Sequence, residues 1–241
     1  MNKKFVGSCI GVPINAGCRI LLVSVLSLLA MLSVAQGQLV NGNFAAGDFT
    51  GWTLFNTSEG GSSLTQVVQF DTAGTGVPQN SAEFEVGQTS GQIGGGPAQG
   101  SGILQFVTLG SGQLTINLNV ASYVSDDINE DGGTFELLLD STVVSSFVCG
   151  PIGIMGLRGP LPQTIRSTLN YSGTVQSGTH EIAIEIIRVG AFLPDVTPFE
   201  YLSNISLSGT AVPEPSSLSL FCIGLVIPFF FIRRWKSVGS K

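Results

Sequence analysis

The sequence predicts an all-β body, a single β-sandwich or jelly roll, with an apolar helix expected at each end of the chain. Three observations carry this. Apolar and polar residues alternate with period two through most of the middle of the chain. No segment outside the two ends shows helical periodicity. Gly, Pro, Asn and Asp punctuate the alternating runs at the spacing of strand turns.

The strands can be justified in order. "SAEFEV" (81–86) places Ala82, Phe84 and Val86 on one face, with Glu83 and Glu85 on a solvated one. "QLTINLNV" (113–120) alternates without a slip, with Leu114, Ile116, Leu118 and Val120 together. "TFELLLD" and "TVVSSFV" flank Asp140-Ser141, which reads as a tight hairpin turn. "TIRSTLNY" groups Ile165, Leu169 and Tyr171. "HEIAIEII" puts Ile182, Ile184 and Ile186 inward and Glu181 and Glu185 outward. "EYLSNISLSG" closes the series, with Tyr201, Ile205 and Leu207 read as one face. Two long Gly- and Pro-containing loops, 89–102 and 149–162, interrupt the pattern. With no internal repeat and no linker, residues 36–211 read as one domain.

The ends read differently. Lys3, Lys4 and Arg19 precede an apolar run of 15 residues, Ile20–Val34, and Ser33-Val34-Ala35 supplies small residues at a cleavage position. That run suits a secretory signal core better than a spanning helix, so residues 1–35 are expected to be a signal peptide cut after Ala35. At the other end, Val212-Pro213-Glu214-Pro215 is stiff and cannot continue a sheet. Leu218–Ile232 is again 15 apolar residues, followed by Arg233, Arg234 and Trp235. As a helix this run is about 22 Å long. It can cross a core of about 30 Å if the arginines snorkel and the tryptophan sits at the interface. The positive-inside rule keeps its basic end cytoplasmic and sets the body outside.

Charge separates the body from its ends. Residues 36–212 contain 15 acids against three arginines, a net of −12, and no lysine. Such a body repels nucleic acid and anionic surfaces. Cys149 is the single cysteine between the two ends, so no disulfide can form within the body, and a packed core must carry its stability.

The order Pro213-Glu214-Pro215, apolar helix, Arg233-Arg234 resembles the PEP-CTERM sorting signal of Gram-negative and related bacteria. The resemblance covers residues 212–241. It implies an exosortase-type processing enzyme as partner, a membrane anchor before cleavage, and release or attachment at the cell surface among proteins made with exopolysaccharide. "NGNFAAGDFTGW" (41–52) is similar to the opening of jelly-roll carbohydrate-binding modules. There an acid follows the first phenylalanine and helps hold a structural calcium. Here Ala45 stands in that place, and Ser203 replaces a second expected acid near the end, so that site is read as lost. Phe44, Phe49 and Trp52 then read as core and turn-packing residues. The alternative is a sugar platform using Trp52, Tyr123 or Tyr171 to recognise exopolysaccharide.

Site chemistry is otherwise sparse. Asp126, Asp127, Asn129 and Asp131 lie in "SDDINEDGG", which matches the first half of a calcium loop. Leu138 stands where a complete loop needs glutamate, so the segment is either a hairpin collecting oxygens for one calcium ion or a solvated turn. His180 is the sole histidine and reads as a strand-end residue. No G-x-S-x-G elbow and no metal cluster of His and Cys occurs, so no catalytic residue is assigned. The expected role is therefore non-enzymatic, structural or adhesive, with carbohydrate binding as the alternative and glycan cleavage a more distant third.

Overall fold

A computed structural model describes residues 34–35, 38–89, 97–125, 130–153, 161–190, 197–209 and 212–213. The expected signal helix and apolar tail helix lie outside these residues, and so do Glu214, Pro215, Arg233 and Arg234. Among the described residues no helix is long and apolar enough to cross a membrane. The chain falls into two units, residues 36–212 and the ends 1–35 with 213–241.

Among the described residues the elements are all strands. In chain order they are β1 (Val34–Ala35), β2 (Thr53–Asn56), β3 (Gly60–Phe70), β4 (Gln79–Gln88), β5 (Gln99–Leu109), β6 (Gly112–Val124) and β7 (Glu130–Asp131). They continue with β8 (Thr134–Leu139), β9 (Thr142–Val148), β10 (Pro151–Ile152), β11 (Gln163–Val175), β12 (Gly178–Arg188), β13 (Phe199–Gly209) and β14 (Val212–Pro213). Two five-stranded antiparallel sheets form the body, in orders β11-β6-β13-β4-β3 and β2-β5-β12-β8-β9. They are the two layers of a β-sandwich. β7 pairs with β10, and β1 with β14, as two-stranded sheets of their own.

Period-two alternation explains the layering. Ala82, Phe84 and Val86 of β4, and Leu114, Ile116, Leu118 and Val120 of β6, turn inward from one sheet. Ile182, Ile184 and Ile186 of β12, with Phe135 and Leu137 of β8, meet them from the other. Each of these side chains larger than Ala82 contributes about 1.5–3 kcal/mol on burial. The segment before β2 completes the core. Phe44 is fully buried, its ring 6.0 Å from Phe49 and 6.3 Å from Trp52. Gln105 holds this segment down, donating to the carbonyls of Val40 and Gly51 and accepting from the amide of Val40. Gly42 approaches the Ile205 carbonyl so closely that a Cβ would lie 2.2 Å from it, which explains glycine there.

One strand departs from its sequence reading. β13 does not place Tyr201, Ile205 and Leu207 on one face. A β-bulge between Ser203 and Ser206, with Asn204 at φ 51°, adds one residue and exchanges the faces beyond it. Tyr201 therefore stands opposite Glu83 on the outer face, while Leu202 and Ile205 are buried in the core.

Arg188 and Glu200 join the two layers. Arg188 of β12 is 1% exposed and Glu200 of β13 is fully buried. Arg188 Nε lies 3.7 Å from Glu200 Oε1. Its Nη1 donates to the Val86 carbonyl at 2.7 Å and its Nε to the Asp131 carbonyl at 2.6 Å, while Glu200 Oε2 accepts from the Val86 amide at 3.0 Å. Burial pushes the Glu200 carboxyl up to about 8, against the opposing pull of Arg188.

The sole histidine secures a turn. Asp140 and Ser141 both have positive φ, as a type I′ hairpin requires. Asp140 Oδ1 accepts from the Glu181 amide at 3.0 Å. His180 donates from Nδ1 to Asp140 Oδ2 at 2.7 Å and from Nε2 to the Gln176 carbonyl at 2.9 Å. Both acceptors are satisfied only by the protonated ring, and the Asp140 contact raises the imidazole above its ordinary range.

Two predictions follow from these groups. Between about pH 4.5 and 8 the unfolded chain releases the Glu200 proton that the folded chain keeps, so folding stability falls as pH rises across that window. Denaturant unfolding across pH should show this decline, and Glu200→Gln should flatten it. For His180 the folded value lies above the unfolded one, so its contribution is complete below about pH 6.5 and is lost as pH rises through the folded value. The single imidazole resonance should titrate above the ordinary range by NMR, and Asp140→Asn should bring it back.

Candidate functional site

The outer face of the β11-β6-β13-β4-β3 sheet carries rows of polar groups and several aromatic rings. Across adjacent strands the register sets Thr164, Tyr123 and Phe199 in one row. Arg166, Ala121, Tyr201 and Glu83 form the next, with Gln66 of β3 beyond them. Thr168, Asn119 and Ser203 follow, then Asn170, Asn117 and Ser206.

The turn after β3 folds back over this face. Phe70 stacks on Tyr201 with ring centroids 3.7 Å apart and planes 2° apart, and meets Tyr123 edge-on at 5.7 Å. Thr72 is buried, with its hydroxyl 2.8 Å from that of Ser81. Arg166 donates from Nε to the Asp71 carbonyl at 2.9 Å, and its guanidinium carbon lies 6.0 Å from the centre of the Phe70 ring. Backbone amides, first that of Gly76, hold the Asp71 carboxyl below its usual range. The turn thus spans from β3 to β11 and is pinned there by an arginine.

Under and beside this turn lies a carboxylate pair. Glu83 and Glu85 are 8% and 9% exposed, so the solvated face expected for them is in fact recessed. The correction has a structural cause: Glu200 points into the core and so turns Tyr201 outward against Glu83, and the turn after β3 covers neighbouring Ser81. Tyr201 donates from its hydroxyl to Glu83 Oε1 at 2.7 Å, and Gln66 donates from its amide to Glu83 Oε2 at 2.5 Å. Ser63 donates to Glu85 Oε2. Burial, then the neighbouring Glu83, hold the Tyr201 phenol far above its ordinary range. The result is a cluster of carboxylate, amide and hydroxyl groups beside aromatic rings.

The residues singled out from sequence do not gather in one place. Tyr123 belongs to this face, half-buried beside Phe70. Trp52 is in the core, 8% exposed, and donates from Nε1 to the Asn41 carbonyl at 3.2 Å. Tyr171 faces Ile116 at the core rim and lies over Gly173. Of the calcium-loop residues, Asp126, Asp127 and Asn129 lie outside the described residues. Asp131 accepts from the amides of Gly133 and Val189. Among the described residues no group of three or more His, Cys, Asp or Glu side chains is placed to hold a metal. Ala35 lies in β1 and Pro213 in β14.

Sequence reasoning missed Phe70, Arg166 and Tyr201 as members of the face. Phe70 and Arg166 leave no sequence signal of their meeting, because they lie on strands at opposite edges of the sheet and only the return of the chain after β3 brings them together. On the other sheet's outer face, Glu185 stands directly opposite Glu136, and burial together with this neighbour raises the Glu185 carboxyl. That pair shares one face of the sheet.

Residues 211–234 match the PEP-CTERM protein-sorting motif. No curated protein matches the chain. Among solved structures it is similar to TmCBM61 in complex with β-1,4-galactotriose, at 11% identity over 73% of this chain and 99% of that one, TM-score 0.38. It is also similar to the K1 cleaved adhesin domain of Lys-gingipain from Porphyromonas gingivalis W83, at 13% identity over 70% and 96%, TM-score 0.41. A third is the CBM22-1 xylan-binding domain of Paenibacillus barcinonensis Xyn10C, at 11% identity over 76% and 99%, TM-score 0.37. At these scores none of them decides a ligand. The chain carries a PEP-CTERM sorting motif at the end of an all-β sandwich.

Proposed function

We propose that this chain is exported, held at the cytoplasmic membrane by its C-terminal apolar segment, and processed by an exosortase-type enzyme at Pro213-Glu214-Pro215. The sandwich, residues 36–211, then acts at the cell surface or in the extracellular matrix without catalysis, in a structural or adhesive role. The match of residues 211–234 to the sorting motif carries this reading. Signal cleavage after Ala35 and orientation by Arg233 and Arg234 belong to the same proposal. The Pro-Glu-Pro segment keeps the cut site extended, where an enzyme can reach it.

A second reading is supported by the outer face: adhesion runs through binding of a neutral polysaccharide. Tyr123 and Phe70 supply ring surface, and Gln66 and the Ser, Thr and Asn rows supply hydrogen-bonding groups. The net charge of −12 in the body selects against anionic polymers. Glu83 and Glu85 sit on one strand, and both accept hydrogen bonds from neighbouring side chains, which favours binding over acid–base chemistry.

Two measurements test these readings separately. In cells that possess the processing enzyme, Glu214→Ala should leave the unprocessed mass; an unchanged mature mass would remove Pro-Glu-Pro as the recognised element. For the purified chain on a panel of neutral and anionic polysaccharides, retention should be confined to neutral ones. Tyr123→Ala should weaken it about tenfold, or about 1.4 kcal/mol, without lowering the melting temperature. Retention of no polysaccharide would leave the structural role alone.

A further inference from the structure

The four edge strands of the body are not treated alike. A sheet edge exposes unpaired backbone groups, and proteins protect it by shortness, bulges, lysine or proline. β2 has only four residues. β3 carries a register shift between Ser62 and Thr65, and β9 one opposite Leu137 and Leu138. β11 has none of these protections. It runs for 13 residues, pairs with β6 at every position without a shift, and holds no lysine, proline or acid. Among the described residues no strand pairs with its outer edge. β9, the edge strand of the facing sheet, lies close to it without being a ladder partner. Thr168, Asn170 and Ser172 are exposed along it.

We propose that β11 is a docking edge for a second copy of this chain, paired antiparallel about a two-fold axis at Asn170. Charge argues for this occupant. In a body of net −12, two copies must meet where acids are absent, and β11 carries a single charge, Arg166. About that axis Arg166 faces the partner copy's threonine or serine positions and not another arginine. Thr168 and Ser172 likewise meet hydroxyl side chains, so the edge is complementary to itself. The dimer joins the two five-stranded sheets into one of ten strands and sets two of the recessed outer faces side by side. The proposal does not depend on the polysaccharide reading.

The full-length chain in detergent micelles supplies the test. Sedimentation velocity across a dilution series should show a reversible dimer. Thr168→Lys with Ser172→Lys should give a monomer with an unchanged melting temperature, because like charges then oppose each other across the axis. A second arm uses a chain with Cys9→Ser, Cys18→Ser and Cys222→Ser. On mild oxidation one of Thr168→Cys, Asn170→Cys or Ser172→Cys should cross-link at least about tenfold faster than Val77→Cys at the exposed turn after β3, since pairing holds the two thiols at high effective concentration. A monomer at every concentration overturns the proposal. So does a dimer that survives the lysine pair and gives no preferential cross-link.

Discussion

The contact between Arg188 and Glu200 orders much of what surrounds it. Apolar packing is non-directional, so two greasy sheet faces can slide over one another at little cost. An arginine that never loses its charge cannot be left in the core without acceptors, and here those acceptors are fixed backbone groups. Arg188 reaches from β12 to the Val86 carbonyl in the facing sheet and to the Asp131 carbonyl in β7. Glu200 grips the amide of that same Val86. The relative setting of the two layers is thereby specified at one end of the sandwich. A body with a single cysteine, the buried Cys149, has no internal disulfide to do this instead.

The same contact determines what the outer face displays. Successive residues of a strand point to opposite faces, so drawing Glu200 inward forces Tyr201 outward. There it meets Glu83 and receives the stacked ring of Phe70. Continued alternation would then send Ile205 to the outside. The bulge at Asn204 absorbs one residue and returns Ile205 and Leu207 to the core side, where Ile205 also donates its amide to the Gly42 carbonyl. A polar network in the core, a bulge and the docking of the first loop are thus linked in one strand, and the recess on the outer face is their outcome.

This chain of causes explains what could be read from sequence. Strands with strict alternation, such as β6 and β12, were legible because one buried face and one wet face leave a clear periodic trace. The hairpin at Asp140-Ser141 was legible from turn chemistry, although the role of His180 in bracing it was not, since the pairing joins two hairpins far apart in sequence. β13 was misread because a bulge breaks the period without leaving a glycine or proline to announce it. Glu83 and Glu85 read as solvated because burial by a returning turn is a tertiary event. Phe44, Phe49 and Trp52 were legible as packing residues, since large rings near tight turns have few other places to go. Tyr123 gave no sign of its neighbours, because Phe70 reaches it only when the turn after β3 crosses the sheet.

The scarcity of cations then gains a structural meaning. With three arginines and no lysine in the body, each cation is conspicuous, and the two that the structure describes are both committed. Arg188 joins the sheets, and Arg166 ties the turn after β3 to the edge strand β11. Neither remains to attract an anionic polymer, and 15 acids repel one. What the outer face offers instead is hydroxyl, amide and carboxylate oxygen beside aromatic carbon. On the polysaccharide reading proposed above, such a surface would gain little from long-range attraction and would bind by contact, one weak hydrogen bond or ring face at a time, so that repetition along a polymer would set its strength.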